Sequence, residues 1–397
     1  MSPIFPTATL PRASRPRWLP LMAVSAVLIA TAALAGPAQA RELRYATGAT
    51  PNSIGGSSAE VYANTLKEAS DGELSAKVYL MSLLNFAEMP GGLNNGITDV
   101  GSVIYPYFPS EFPYTNLIAE LSMLTDLLDA PAGTASLAYA GAMSEYVFLH
   151  CPKCQAEWQQ QNQLYGGGAA ASPYYLLCNT PVATLKQLAG KRTRTGGAQW
   201  ARAADALGAT GVSMSVNEVY EGLGQGAVDC TMQAAPELTS FNLKEVVTDI
   251  TRGIPLGIYG GLAGANINLD VWRSLTEAQR RAHLRAAAAA NADTSWLYAQ
   301  QDQSNLKMAA DRGIRIHQAD ADLVGKARRF IENDMKTIAA NYQKKYGIED
   351  ASQRIQTFRP LLEKWIGLVK DVDSSEALEE LYWEEAYSKV DVTRYGQ

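Results

Sequence analysis

Arg194 is the side chain in this sequence best suited to hold an anion. It closes the run Leu185-Lys-Gln-Leu-Ala-Gly-Lys-Arg-Thr-Arg194 and leads straight into Thr195-Gly196-Gly197 and a helix-like stretch to Leu207. A short basic strand entering such a turn would set a guanidinium beside free backbone N–H groups. A carboxylate there meets a planar fork of donors and a favourable helix dipole. The competing reading is an arginine at a loop mouth making a surface salt bridge. Gln233, four residues beyond Asp229, is placed to hydrogen-bond the same ligand from the next strand end. Tyr105, Tyr107, Tyr174 and Trp200 lie at strand ends or a helix start and are candidate pocket walls, with ordinary packing as the alternative for each.

Residues for catalysis are scarce. The chain has three histidines, His150, His283 and His317, and none sits in a nucleophile or metal motif. There is no Gly-x-Ser-x-Gly elbow, no His-Glu-x-x-His, no phosphate-binding glycine loop and no dinucleotide fingerprint. Asp99 and Asp229 each end a Gly-x-x-Asp segment and read as turn-capping residues rather than an acid–base pair. No cofactor and no metal are expected. Four cysteines, Cys151, Cys154, Cys178 and Cys230, suit disulfides in an exported protein. Cys151-Pro-Lys-Cys154 also fits a redox pair or, with His150, half a metal site, but bridging is the favoured reading. Four cysteines allow three pairings, and their spacing does not choose among them.

The export signal is itself in the sequence. Arg12, Arg15 and Arg17 precede an apolar stretch from Leu19 to Leu34, and Ala38-Gln39-Ala40 is a small-x-small cleavage site. This reads as a secretory leader cut after Ala40, which places the mature chain in the periplasm. Removing three arginines takes the formal net charge from −6 to −9 (−6 − 3). No basic face for nucleic acid is evident, so an anion must be held by a local positive site. The remaining 357 residues (397 − 40) are long for one small core and suggest two domains.

The elements that would position these residues alternate. Leu43–Thr47 reads as a strand, Ser57–Ala69 as an amphipathic helix and Leu74–Leu80 as a strand. Pro90-Gly-Gly reads as a loop, Gly96 as a helix terminator and Val100–Ile104 as a buried strand. A long helical region is expected from about Leu117 to Leu149, with strands at Tyr174–Cys178 and Gly261–Leu269. Ser274-Leu-Thr-Glu277 reads as a capping box. It opens one helix of about 36 residues, about 55 Å long, which should run along both domains. Ile314–His317 reads as a strand, and Ala321–Tyr346, Phe358–Val369 and Ser375–Tyr387 as helices. The chain also echoes itself. Arg44-Tyr-Ala-Thr47-Gly48 parallels Arg192-Thr-Arg194-Thr195-Gly196, and Gly96-Ile-Thr-Asp99 parallels Gly226-Ala-Val-Asp229. Two such units with facing loops would make a cleft.

These motifs carry a family resemblance. Leu188-Ala-Gly190-Lys-Arg-Thr-Arg194, Leu207-Gly208-Ala209, Met214-Ser215, Glu218-Val219-Tyr220 and Gln225-Gly226-Ala-Val-Asp229 follow one another in order. With Gly96-x-x-Asp99 and Asn268-x-x-x-Trp272-x-x-Leu275, they cover most of the mature chain. The sequence resembles the extracytoplasmic solute receptors of tripartite ATP-independent periplasmic (TRAP) transporters, of the C4-dicarboxylate-binding type. Three positions depart from the family pattern: its Gln falls on Gly224, its Gly after the second Asp is Cys230, and its Asn is Gln233. Sialic-acid binders of the family carry a second Arg where this chain has Tyr174, so sialic acid is not the expected ligand.

The resemblance implies an α/β fold, the two-domain periplasmic binding protein type with crossing hinge strands and a long domain-spanning helix. The implied division is residues 41–171 and 259–298 for domain I, and 172–258 and 299–397 for domain II. It implies a non-enzymatic receptor that closes on an organic acid and delivers it to the membrane subunits of a TRAP transporter. Arg194 takes the carboxylate-binding role, with Gln233, Tyr105, Tyr174 and Trp200 as further ligand contacts. Two alternatives use the same site: a sensor presenting the acid to a signalling receptor, and a periplasmic enzyme acting on an organic acid. The acidic segment Glu376 to Tyr387 leaves open whether it packs on its own chain or on a second copy in a homodimer.

Overall fold

The computed structural model describes Thr9, residues 40–131 and residues 133–397. The leader and its cleavage region lie outside the described residues, except for Thr9 and Ala40. Residues 40–397 form one compact unit built on two six-stranded sheets.

The chain first lays down β1 (Arg41–Thr47), β2 (Leu74–Leu80), β3 (Val100–Ile104), β4 (Gln163–Leu164) and β5 (Gly168–Ala169). It then crosses over and forms β6 (Tyr174–Cys178), β7 (Arg192–Thr195), β8 (Thr210–Ser213), β9 (Cys230–Ala234) and β10 (Asp249–Arg252). β11 (Leu262–Asn268) returns to the first sheet, and β12 (Arg315–Gln318) completes the second. The orders are β2-β1-β3-β11-β4, with β5 beside β11, and β12-β10-β6-β9-β7-β8. β1 is parallel to β2 and β3, and β7 is parallel to β8 and β9, while β11 and β6 run against their neighbours. β3 is buried along its whole length, as a continuous apolar run requires.

The two crossings lie side by side. Pro173 bridges Ile258, the Ala171 N–H donates to the Tyr259 carbonyl (2.8 Å), and the Tyr174 N–H donates to that of Gly257 (3.0 Å). Gly257 has φ +67°, and a Cβ there would stand 2.8 Å from the Met123 Cα. Gly257→Ala should therefore cost roughly 2–4 kcal/mol, from the left-handed backbone and the displaced main chain. A urea midpoint that does not move would show that this crossing relaxes freely.

The long helix is Glu277–Asp311. Its capping box is Thr276 with Gln279, not Ser274 with Glu277, because Ser274 still belongs to the preceding short helix Leu269–Ser274. Pro90-Gly-Gly lies inside the short helix Met89–Asn94, where proline fits the first turn. The helical region from Leu117 to Leu149 is broken into Pro113–Ala119, shorter turns, and Ala135–Glu145. Asp129 takes a left-handed conformation (φ +49°) two residues before Pro131, which ends the first stretch.

The C-terminal residues do not follow the expected division. Helix Ala321–Tyr346 changes partners along its length: Leu323, Ala327 and Ile331 pack with the second sheet, Ile338 and Tyr342 with the first. Beyond it, Phe358, Trp365, Tyr382 and Tyr387 are all in the first core. Trp365 leaves no room for a Cβ at Gly141 and donates to Glu145 (2.6 Å). Leu378 and Tyr382 place the acidic helix Ser375–Glu385 against its own chain.

The internal echo has a structural basis. Arg44 clasps Asp99 through its backbone N–H, Nε and a terminal nitrogen, and Arg192 clasps Asp229 in the same way. Both aspartates are therefore cross-strand ion-pair partners and not turn caps. Parallel pairing sets each arginine one residue before a strand contact and each aspartate one residue before its partner's. The cysteines pair Cys151–Cys154 and Cys178–Cys230, the second across directly facing residues of β6 and β9.

Candidate functional site

A cavity opens where the sheets' loops face one another. Its lining includes Arg194, Gln233, Tyr174, Tyr107, Glu237 and Tyr298. Room for the centres of water-sized molecules amounts to about 70 Å³, several times the ~10–15 Å³ one buried water needs on that measure. Phe86, Phe241, Tyr259, Ile104, Val216 and Leu262 make the rest of the wall largely apolar. That combination of apolar wall and few polar groups is the usual character of a small-molecule site.

β7 carries Arg194 into this cavity with its guanidinium buried, 2 % exposed. Nε donates to the Met214 carbonyl (2.9 Å), one terminal nitrogen to Gln233 Oε1 (3.3 Å) and the other to the Tyr107 hydroxyl (2.8 Å). A guanidinium has five N–H donors. Three are used, which leaves two (5 − 3), one on each terminal nitrogen. That pair matches a carboxylate's two oxygens. Among the described residues no carboxylate forms an ion pair with Arg194. Burial opposes its charge, but Tyr107, Tyr174, Tyr259 and Glu237 more than offset this, so the guanidinium stays ionised.

Gln233 is oriented by its neighbours. Its Oε1 accepts from Arg194 and from Thr231 Oγ1 (2.9 Å), so its amide N–H groups are the ones left to donate. Tyr107 joins the two halves of the cleft: its hydroxyl accepts from Arg194 and from the Val216 N–H (2.9 Å). Asn217 adds a second clasp, donating to the Gly48 carbonyl (2.8 Å) and accepting from the Phe86 N–H (3.2 Å). The cleft is closed in this arrangement.

Two of the expected contacts sit elsewhere. Tyr105 does not line the cavity; its ring lies edge-on to Trp158 and its hydroxyl donates to the Gly260 carbonyl (2.9 Å). Trp200 lies on the apolar face of its helix, wholly buried, and donates to the Leu256 carbonyl (2.9 Å). It stacks on Tyr259 and tilts against Tyr174, so it backs the wall without forming it. The turn Gly196-Gly197 and the helix start after it also stay outside the lining. Gly196 serves by being small, since a Cβ there would press to 3.2 Å from the guanidinium.

Glu237, Tyr259 and Tyr298 were not visible as site residues in the sequence. Glu237 opens the short helix Glu237–Ser240 just after β9, and burial pushes its carboxyl up to about 7. The Tyr298 hydroxyl and Arg194 only partly counter that rise. Burial likewise raises Glu157 to about 7, against hydrogen bonds from Thr115 and Tyr114. Both folded values lie above the ordinary 4.5. Their contribution to stability is thus full below about 4.5 and lost as pH rises through about 7. The ligand-free protein should lose stability between pH 5 and 8, with Glu237 responsible for up to about 3 kcal/mol. Glu237→Gln should flatten the profile in urea titrations; an equal slope in both proteins would refute the assignment.

Two α/β lobes with paired crossing strands, closed over a buried cationic cavity, make up the fold of the two-domain periplasmic binding proteins. Comparisons with known proteins agree. Residues 175–342 match the family model described as bacterial extracellular solute-binding protein, family 7. A marine-metagenome TRAP solute-binding protein specific for pyroglutamate superposes with TM-score 0.67 at 14% identity, covering 81% of this chain and 99% of that one. A Bordetella pertussis extracytoplasmic solute receptor binding pyroglutamic acid gives 0.65 at 18%, covering 81% and 100%. A TRAP periplasmic solute-binding protein from Bordetella bronchiseptica with bound mandelate gives 0.68 at 20%, covering 81% and 99%. At these identities the structural likeness shows the fold. Residues 175–342 of this chain thus resemble the family 7 extracellular solute-binding proteins over less than half of its length. No helix among the described residues is long and apolar enough to cross a membrane.

Proposed function

We propose that this protein captures a small organic acid in the periplasm through Arg194 and Gln233 and delivers it to the membrane permease of a TRAP transporter. The observation that carries the reading is the buried guanidinium with one unused N–H on each terminal nitrogen and no carboxylate partner among the described residues. A buried cation without an ion-paired carboxylate is costly, and a ligand carboxylate relieves that cost. Tyr174 supports the site from the lobe wall, and Gln233 supplies the second donor. The similar proteins are described as binding pyroglutamate, pyroglutamic acid and mandelate, all carboxylates. Ligand would favour the closed cleft held by Tyr107 and Asn217, and release would follow its opening.

The test is a thermal-shift screen of residues 41–397 against mono- and dicarboxylates, keto acids, sugar acids and aromatic acids. An acid at about a hundred times its Kd should add about 2.7 kcal/mol of stability. No shift with any acid class would overturn the carboxylate reading.

A further inference from the structure

The cavity holds a second polar anchor of opposite character. Arg194 is the single basic side chain of the described lining, and Glu237 the single acidic one. Glu237 Oε1 accepts from the Tyr298 hydroxyl (2.5 Å), which ties the carboxyl to the long helix. Its other oxygen, Oε2, is buried without a hydrogen-bond partner among the described residues. The two charged groups are not ion-paired with each other, so neither satisfies the other. Above about pH 7, where Glu237 is ionised, its buried oxygen is satisfied only by a donor. Within this largely apolar wall, a ligand N–H or O–H can supply it.

We propose that the ligand is a small monocarboxylate bearing a hydrogen-bond donor, a hydroxyl, a lactam N–H or an ammonium, and that Glu237 selects for that donor. This rests on the carboxylate reading of Arg194 and goes beyond it. With Glu237 ionised, as at pH 8, a second carboxylate in the donor's place would bring an acceptor and a like charge against it, with no second cation in the lining to receive it. An acid with a methyl group or ether oxygen there would leave Oε2 unsatisfied. Sites that hydrogen-bond a polar group reject the analogue lacking it more strongly than apolar pockets reject a missing methylene.

The test uses matched ligands measured by calorimetry at pH 8. One set is butyrate, 4-hydroxybutyrate, 4-aminobutyrate and succinate, which differ only at the far end. The other is 5-oxoproline and its lactone counterpart, in which the ring N–H is replaced by oxygen. In the wild-type protein a donor-bearing acid should bind at least about tenfold tighter than its partner without the donor. This comparison needs no variant. In Glu237→Gln, checked for an unchanged circular-dichroism spectrum, Tyr298 should still hold the amide oxygen and turn the N–H group toward the ligand. The donor preference should then shrink by at least about tenfold, and succinate should gain. Equal binding within each pair, or a preference unaltered by Glu237→Gln, would overturn the inference while Arg194-dependent binding left the carboxylate reading intact. If no acid binds the wild-type protein, both readings fall.

Discussion

Replacing Arg194 by alanine should weaken binding of the acid by roughly 30- to 1,000-fold, corresponding to about 2–4 kcal/mol for a charge-assisted bidentate contact. Arg194→Lys should be nearly as poor. A lysine ammonium has three donors on one atom and cannot present one N–H to each carboxylate oxygen while also holding Tyr107 and Gln233. Calorimetry with an acid from the screen would decide this, and an affinity within threefold of wild type for Arg194→Ala would refute the assignment. The ligand-free protein should respond in the opposite sense. Its buried guanidinium has no ion-paired carboxylate, and of its three acceptors the Gln233 and Tyr107 oxygens keep Thr231 and Val216 as donors, while only the Met214 carbonyl loses its partner. An apolar residue of similar length, Arg194→Met, should therefore melt no lower than wild type without ligand and lose the ligand-induced rise. That pattern separates a residue kept for binding from one kept for folding.

How far the site could be read in advance depended on the range of each interaction. The place of Arg194 in the cavity lining was legible because it ends a short basic strand, β7, at the sheet's loop edge, although the Gly196-Gly197 turn beside it stays outside the lining. Gln233 followed because β9 runs beside β7, as the second Gly-x-x-Asp unit suggested. The aromatic residues were harder. Tyr105 and Trp200 stand at element ends like Tyr107 and Tyr174, and only packing decides which ring faces the cavity and which backs it. Glu237 left no trace because what holds it in the site is Tyr298, 61 residues away.

The fold shows the same division. Periodicity gave helix Ala321–Tyr346, but it cannot say that one apolar face serves two cores in turn. The segment after that helix packs into the first core, a placement that periodicity alone does not give. The Arg44–Asp99 and Arg192–Asp229 clasps were hidden for a related reason. The sequence shows the repeat, but only the parallel register brings each arginine to its aspartate.

Of the two disulfides, Cys178–Cys230 should dominate stability, and the difference follows from the chain each one closes. Its cysteines are 52 residues apart, against 3 for Cys151–Cys154. Loop-closure entropy then predicts about 4 kcal/mol for the long loop and about 2 kcal/mol for the short one. Position sharpens the contrast. Cys178–Cys230 links β6 and β9, the strands that carry Tyr174 and Gln233 at their other ends. All four cysteines are buried, so neither bridge is open to reductant until the protein unfolds locally. Paired Cys→Ala variants can therefore be compared without uncertain redox state. Losing Cys178–Cys230 should lower the urea midpoint about twice as far as losing Cys151–Cys154, and should also weaken acid binding as Gln233 loosens. Losing Cys151–Cys154 should leave affinity unchanged, since neither residue lines the cavity. If the two variants are equally destabilised, or the short bridge proves the one that governs affinity, loop length and strand position are not what these disulfides contribute.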